Sequence, residues 1–455
     1  RSLNERRAAI QVQVLDSMNE NGAKLVQVSE QEMAELRMSY PGMRILPEVF
    51  YRKALAPRKT IAAKPLATHK QVKFSVTLKS ASGEPVEKAE IFLFTSYEKG
   101  EGAKAFTNKQ GVAHFQLPAL SVVERMYVYP LHSVWPRRIL KPGFEQNTLS
   151  VTLSPIDIAQ AGVMEYFFPA AQRQPLSHKI KVGVIDTGVG PHQFIPVKGG
   201  ANFVRNENEA DYFDNGEGHG THVAGIIAGW GENGFRGLAP GVSLYSYRVF
   251  GAGGGDASNF SIMKAIDRAV SDGCDLVNLS LGSAEEDNGI AETIEEAYNK
   301  GVVCFAATGN EDRSPVCFPA SAQFSIAVSA TGRKKTWPAG SLQSEMVKAP
   351  FGNDKQDFIA SFSNIGTQVD LTAPGVGIVS GFPNNLYTVM DGTSMACPAA
   401  TAIAARLLHT HPEVFNHARN AARSNEIVKL VSAHAVSLGF GPRFQGKGML
   451  THKAV

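Results

Sequence analysis

From about residue 178 onward, short apolar runs without polar alternation recur between helical patterns, and no other feature restricts the fold as much. The runs are KIKVGVID, SLYSYRVF, CDLVNLSL, VVCFAAT and FSIAVSA. Val-rich strands with no polar face suit a parallel sheet covered on both sides. Between them, SNFSIMKAIDRAVSDG and NGIAETIEEAYNKG carry helical spacing and end at glycine. Strand and helix in alternation predict a doubly wound α/β domain, with functional residues beyond the carboxyl ends of the strands.

Upstream the texture differs twice. Residues 1–56 alternate in AIQVQVL and KLVQVS, continue into SEQEMAELRMSYPG, and close on MRILPEVFY. Ser29 and Glu32 have capping-box spacing, and Pro41-Gly42 should end the helix, so a small α+β unit is predicted. Residues 57–69 are short of bulky apolar side chains and hold two prolines, and read as a linker. Residues 70–153 alternate with period two in VKFSVTL, AEIFLFTS, VAHFQL, RMYVYPL and LSVTLS, separated by SASGEP and NKQG. That pattern predicts an all-β sandwich. Residues 154–455 form the α/β part, and a chain of 455 residues is long enough for this division.

Composition removes several function classes. A formal net charge of +3 argues for neither nucleic acid nor an acidic membrane surface as partner. No run approaches the roughly 18 apolar residues that span a bilayer. The cysteines Cys274, Cys304, Cys317 and Cys397 lack metal-site spacing and read as buried free thiols. Because the chain begins at Arg1, its natural start is expected upstream, and the lack of a leader is uninformative.

Four motifs carry chemistry. In VGVIDTGVG, Asp186 follows an apolar strand, where a carboxylate can face an imidazole while shielded from water. In GHGTHVAGIIAG, His219 opens a helix, with Gly220, Ala224 and Gly225 allowing close backbone approach. His222 three residues on suggests a metal pair, but the zincin glutamate and a third ligand are missing, so a structural role is expected. In DGTSMACPAATAIAARLL, Ser394 begins a small-residue helix, near the positive end of its dipole. In AATGN, Asn310 ends a strand and can offer its amide to an oxyanion. Each alone has a plainer reading as a cap or turn residue; together they supply a nucleophile, a base, an orienting carboxylate and an oxyanion donor.

VIDTG, HGTHVAG, AATGN and GTSMA, in the order Asp, His, Ser, resemble the subtilisin family of serine endopeptidases. The resemblance runs from about Lys181 to Lys447 and includes RGLAP, NLSLG, FPA, ASFSN and LTAPG. It implies that Asp186 orients the imidazole, His219 is the base and then the acid, and Ser394 is the nucleophile. Asn310 and the Ser394 backbone N–H would form the oxyanion hole. It also implies that Ser280, Leu281 and Gly282 form a strand edge for substrate. Ala307, Thr308 and Gly309 would line the primary pocket with Cys317 at its base, and Phe250 and Ile262 a pocket three positions along. Substrates would be proteins or peptides. No cofactor is required; the loop WGENGFRGLAP loosely resembles a calcium loop of some relatives, so calcium is allowed but not predicted.

Three features depart from or extend the pattern. Ala399 stands where the family usually has histidine, a position without a chemical role. Residues 332–358 are longer than usual, as a tolerated insertion or a functional loop would be. Residues 1–56 resemble the later part of a subtilase propeptide, an intramolecular inhibitor whose tail would lie in the cleft and be cut near Leu55. The segment 70–153 resembles transthyretin-like or immunoglobulin-like modules. A peptide-ligating relative or a non-catalytic scaffold stands as the alternative to an endopeptidase. Family habit favours export, whereas free thiols suit the cytosol, so the compartment is left open.

Overall fold

The computed structural model describes residues 12–20, 22–62, 70–119, 121–159, 162–177 and 179–451. The start of AIQVQVL and residues 63–69 of the expected linker lie outside them. Among the described residues, the main sheet has nine strands. Its parallel part runs Val197–Asn202, Ser243–Arg248, Lys181–Asp186, Leu276–Leu279, Val303–Ala307, Ser325–Arg333 and Leu371–Pro374. All five runs singled out by their lack of alternation are in it, and the strand Leu276–Leu279 is buried at every position. Apolar side chains on both faces of these strands feed two separate cores, one on each side of the sheet.

The sheet is mixed rather than wholly parallel. Residues 332–358 fold back so that Asp357–Ala360 and Val347–Phe351 add an antiparallel edge beyond Ser325–Arg333. The link from Phe351 to Asp357 is too short for the crossover that parallel pairing requires, so those two strands pair antiparallel.

The helices are set by their caps. Ser258 accepts from the Ser261 N–H ahead of Asn259–Ser271, and Asp287 accepts from the Ile290 N–H ahead of Asn288–Asn299. The glycines that follow, Gly273 and Gly301, have φ of +76° and +77°, which a side chain would strain. The helix Thr393–Thr410 is different in kind. It is buried over nearly its whole length and packs under the sheet through Ala396, Ala399, Ala400 and Ala404.

Residues 71–153 form two sheets around one core. One joins Thr148–Leu153, Gln71–Ser80 and Val112–Pro118; the other joins Glu101–Phe106, Glu90–Ser96, Arg125–Tyr129 and Arg137–Leu140. Phe74, Val76, Ile91, Leu93, Phe115 and Met126 meet between them. The Glu90–Ser96 strand is apolar on its other side too, where Phe92 and Phe94 join Tyr127 and Leu342 of the catalytic part. Near the amino terminus, Gln13–Ser17 and Lys24–Gln27 pair antiparallel, and the helix Glu30–Ser39 starts with the complete Ser29/Glu32 capping box.

A buried ion pair ties the helix Ala421–Ala433 to the sheet. Arg423, one of the largest fully buried side chains, meets the Asp275 carboxylate at 2.7 Å, and Asp275 also accepts from the Lys181 N–H at 2.8 Å. Removing one partner leaves the other charge buried and alone. Asp275→Ala should cost about 3–5 kcal/mol, read as a lower urea midpoint with unchanged slope. A loss under 1 kcal/mol would mean the pair contributes little.

Candidate active site

Asp186 is the last residue of its strand, 1 % exposed, and its Oδ1 accepts from the Thr187 N–H and from Nδ1 of His219, both at 2.7 Å. That contact fixes the neutral imidazole as the tautomer with its proton on Nδ1, which leaves Nε2 as the basic nitrogen. Close approach is possible because Gly220 has no side chain. A Cβ at Gly220 would lie 2.2 Å from the Gly188 carbonyl oxygen. His219 is the first residue of the helix His219–Ala228, after Gly218 in the left-handed region. Its Nε2 is buried and has no hydrogen-bond partner among the described residues.

His222 lies one turn along the same helix and is fully buried. Its Nε2 is 3.0 Å from the Ile378 carbonyl, and burial pushes its pKa down to about 3, so it stays neutral and holds the backbone below the site. This is the structural role expected for it. Among the described residues, no three His, Cys, Asp or Glu side chains gather as metal ligands. The loop likened to a calcium loop carries its own cation. The Arg236 guanidinium donates to the carbonyls of Gly231 and Phe235 and stacks 3.9 Å from the Trp230 ring. Oxygens already facing a guanidinium do not fit a calcium ion there.

Ser394 occupies the first turn of Thr393–Thr410 after Gly392, and its hydroxyl donates to the Ser280 carbonyl at 3.0 Å. Asn310 accepts through Oδ1 from the Thr393 N–H at 2.9 Å, which settles its amide orientation and leaves Nδ2 as a buried, unpaired donor among the described residues.

The cleft is filled by the chain itself. Phe50–Lys53 is the middle strand of a three-stranded antiparallel sheet, between Ala257–Ser258 and Leu281–Gly282. The Ala54 N–H donates to the Ser280 carbonyl at 3.2 Å, and the Ala54 carbonyl accepts from the Ser394 N–H at 3.0 Å. Beyond it, the Ala56 N–H donates to the Asp391 carbonyl at 2.8 Å. Tyr51 is fully buried in the cluster that holds Phe250, Ala257, Ile262 and Leu281. Lys53 reaches the Glu217 carboxylate at 2.7 Å and lies over the Phe250 ring at 4.9 Å. Cys317 stands between two glycines: a Cβ would come within 2.4 Å of its Sγ at Gly282 and 2.9 Å at Gly309. Burial pushes this thiol up to about 12, so it stays protonated. The backbones of Ala307 and Thr308 border the same place, since the Cys317 N–H donates to the Thr308 carbonyl. Sequence reasoning missed Ala257, Ser258 and Glu217. Only the glycine run before Ala257 marked that edge, and nothing distinguished Glu217 from a solvated carboxylate.

An imidazole held by a buried carboxylate, a serine at a helix start and an occupied cleft are the parts of nucleophilic acyl chemistry, and the chain is a serine endopeptidase. Residues 177–441 match the subtilase family, Peptidase S8, and the chain belongs to that family. It is 33 % identical to subtilisin DY of Bacillus licheniformis over 281 residues, 60 % of this chain and 90 % of the relative. It is 31 % identical to an alkaline protease of Alkalihalobacillus alcalophilus over 385 residues, 78 % of this chain and 90 % of the relative. It is 34 % identical to subtilisin BL of Lederbergia lenta over 270 residues, 58 % and 91 % respectively.

Asp391, just before the serine helix, supplies a pH signature. Burial raises its pKa to about 6, against donation from the Gly377 N–H (2.6 Å) and the Gln343 amide (2.8 Å) and the favourable charge of Arg58. The unfolded chain releases this proton near 3.8. Between about pH 4 and 6 the native state therefore binds more protons, and stability falls as pH rises through that window, then levels off. Thermal midpoints across pH 4–7 should show this slope in the wild type and a flatter profile in Asp391→Asn. Parallel profiles would sink the assignment.

Proposed function

We propose that Ser394 is the nucleophile, His219 the general base and then acid, and Asp186 the carboxylate that orients the imidazole. Ser394 Oγ attacks a peptide carbonyl as its proton passes to His219 Nε2. Asp186 keeps Nδ1–H fixed and stabilises the imidazolium that forms. The oxyanion is met by the Ser394 N–H and Asn310 Nδ2. The imidazolium then protonates the leaving amine, and water repeats the sequence on the acyl-enzyme. No step uses a metal or organic cofactor.

The observation that carries this reading is the Ala54 carbonyl at the Ser394 N–H, 3.0 Å away. In this reading Ala54–Leu55 is the bond to be cut, in keeping with a site near Leu55 read from the sequence. The residues beyond follow: Ala54 at the primary pocket of Gly282, Ala307, Thr308, Gly309 and Cys317, Lys53 beside Glu217, and Tyr51 in the pocket of Phe250 and Ile262. Residues 1–56 act as an inhibitory unit and keep the enzyme latent until Ala54–Leu55 is cut and the strand leaves. Residues 57–69 form the tether and 70–153 an accessory domain that stays with the protease, 154–455. In this intact state the hydroxyl of Ser394 is bonded to the Ser280 carbonyl, so attack begins with a χ1 rotation toward His219.

A fluorophosphonate added to wild type and to Ser394→Ala, followed by intact-mass measurement, tests the nucleophile. One adduct on the wild type and none on the variant is the expected result, with Leu55 as the new amino terminus in wild type alone. Equal labelling of both proteins would remove Ser394 from its role. Asn310→Ala should retain labelling but lower kcat on the order of 100- to 1000-fold.

A further inference from the structure

The segment beyond Ala54 does not leave the protein for solvent. After the Asp391 contact it runs along the outer face of the accessory sheet, where strands would ordinarily show polar residues. There the guanidinium of Arg58 sits 4.7 Å from the Tyr129 ring centre and 3.5 Å from the Glu90 carboxylate. The Lys59 ammonium lies 5.1 Å from the Tyr97 ring centre. Ile61 packs against the cluster of Phe92, Phe94 and Tyr127, and the Ala62 N–H donates to the Gly100 carbonyl at 2.8 Å.

This face is shaped for a chain to lie on it. A Cβ at Gly102 would meet Ile61 Cδ1 at 2.9 Å, and one at Gly100 would meet the Ala62 Cβ at 3.2 Å. Gly102 weakens the edge strand Glu101–Phe106 and Gly100 lies in the turn before it; both leave room for the neighbouring segment. The aromatic rings form an edge-to-face stack, with Phe94–Tyr97, Phe94–Tyr127 and Tyr97–Tyr127 centres 5.3–5.8 Å apart. Two further cations already rest on it, Arg125 at 3.7 Å from the Tyr97 ring and Lys104 at 5.8 Å from the Phe92 ring. A ring surface with negative faces and an adjoining carboxylate selects for positive charge.

We propose that this face is an exosite on the leaving-group side of the protease cleft. It receives extended polypeptide with a basic pair at the fourth and fifth positions after the cut bond and a branched apolar residue at the seventh. Arg58, Lys59 and Ile61 hold those positions in the intact chain. The register rests on Ala54–Leu55 being the scissile bond. After self-cleavage the same segment stays tethered and competes for the face at a high effective concentration, so the exosite discriminates best when its own occupant is weakened.

The test uses the self-processed Arg58→Ala/Lys59→Ala protein and quenched peptides in two lengths. Long peptides carry Arg-Lys or Ala-Ala at the fourth and fifth positions past the bond; a short one ends two residues past it. Two exposed cation–π contacts correspond to a preference for Arg-Lys of roughly 5- to 30-fold in kcat/KM, mainly through KM. Adding Glu90→Gln and Tyr129→Leu should bring the ratio of the two long peptides to about one. Turnover of the short peptide with no preference between the long ones overturns the exosite, whereas no turnover of any peptide would count against the proposed triad. A second readout does not need catalysis. In uncut Ser394→Ala, trypsin should cut after Arg58 and Lys59 at least about tenfold more slowly than in Ser394→Ala/Glu90→Gln/Tyr129→Leu. Equal rates overturn the proposal even if no peptide is turned over.

Discussion

The Ser394 carbonyl has no helical partner, because Pro398, four residues on, lacks an N–H. The hydroxyl of Ser280 donates to it at 2.9 Å instead, and Asn278 in turn donates to the Ser280 oxygen at 2.9 Å. A buried unpaired carbonyl costs about 1–3 kcal/mol, so this substitution fixes where the serine helix meets the strand Leu276–Leu279. The cleft depends on that joint. Ser280 also presents its carbonyl to the Ala54 N–H, and Ser394 presents its N–H to the Ala54 carbonyl. One residue on the strand and one on the helix thus fix the bound backbone from two sides. Gly392 completes the arrangement: a Cβ there would lie 2.5 Å from the Ala54 oxygen.

The accessory sheets are coupled to the same place through the segment 332–358. Arg138 pairs with Glu345, the Arg138 N–H donates to the Gly340 carbonyl at 2.8 Å, and Leu342 enters the aromatic cluster. Gln343, one residue on, donates to Asp391. The Ser133 N–H donates to the Tyr387 carbonyl, and Thr388 donates to the Leu131 carbonyl at 2.9 Å. Tyr387 and Thr388 lie on the hairpin strand Leu386–Met390 that leads into Asp391 and Gly392. A segment that reads as an insertion in the sequence therefore fastens one part of the chain to the cleft of another. Its charges and its one buried leucine are ordinary surface residues until the partner sheet is in view.

What was legible followed from backbone demands. Val-rich runs without alternation have one use in a soluble chain, so the main strands could be read, and so could the residues at their carboxyl ends. The close approach behind the His219–Asp186 contact was legible for the same reason, since Gly220 marks a place where the backbone comes nearer than a side chain allows. The strands Glu101–Phe106 and Arg137–Leu140 were not seen. The first carries Gly102, and the second begins with two arginines that pair with carbonyl and carboxylate groups of residues 339–345. Both lose the β signature to contacts that are tertiary. The register in the cleft could be read only as near Leu55, because no local pattern says which of Ala54 and Leu55 meets the Ser394 N–H.

The described part of the amino-terminal unit is held mainly by its last strand. Its helix buries only Leu36, and Met38, Tyr40 and Met43 are exposed, so it has little core of its own. Its body meets the helices Asn259–Ser271 and Asn288–Asn299 through ion pairs, Lys264 with Asp16 and Arg44 with Glu292, and pairs of this partly exposed kind contribute about 0–1 kcal/mol each. Tyr51 is fully buried, and its ring brings about 1.5–3 kcal/mol of transfer energy, offset in part by a buried hydroxyl with no partner among the described residues and added to by the strand hydrogen bonds. The strand thus dominates binding, and it is continuous with the segment on the aromatic face only while Ala54–Leu55 is intact. Cutting that bond separates two bound segments that had shared one loss of freedom. The unit of residues 1–54 then binds without help from Arg58, Lys59 and Ile61. On the proposed reading, a single hydrolysis weakens inhibition in this way.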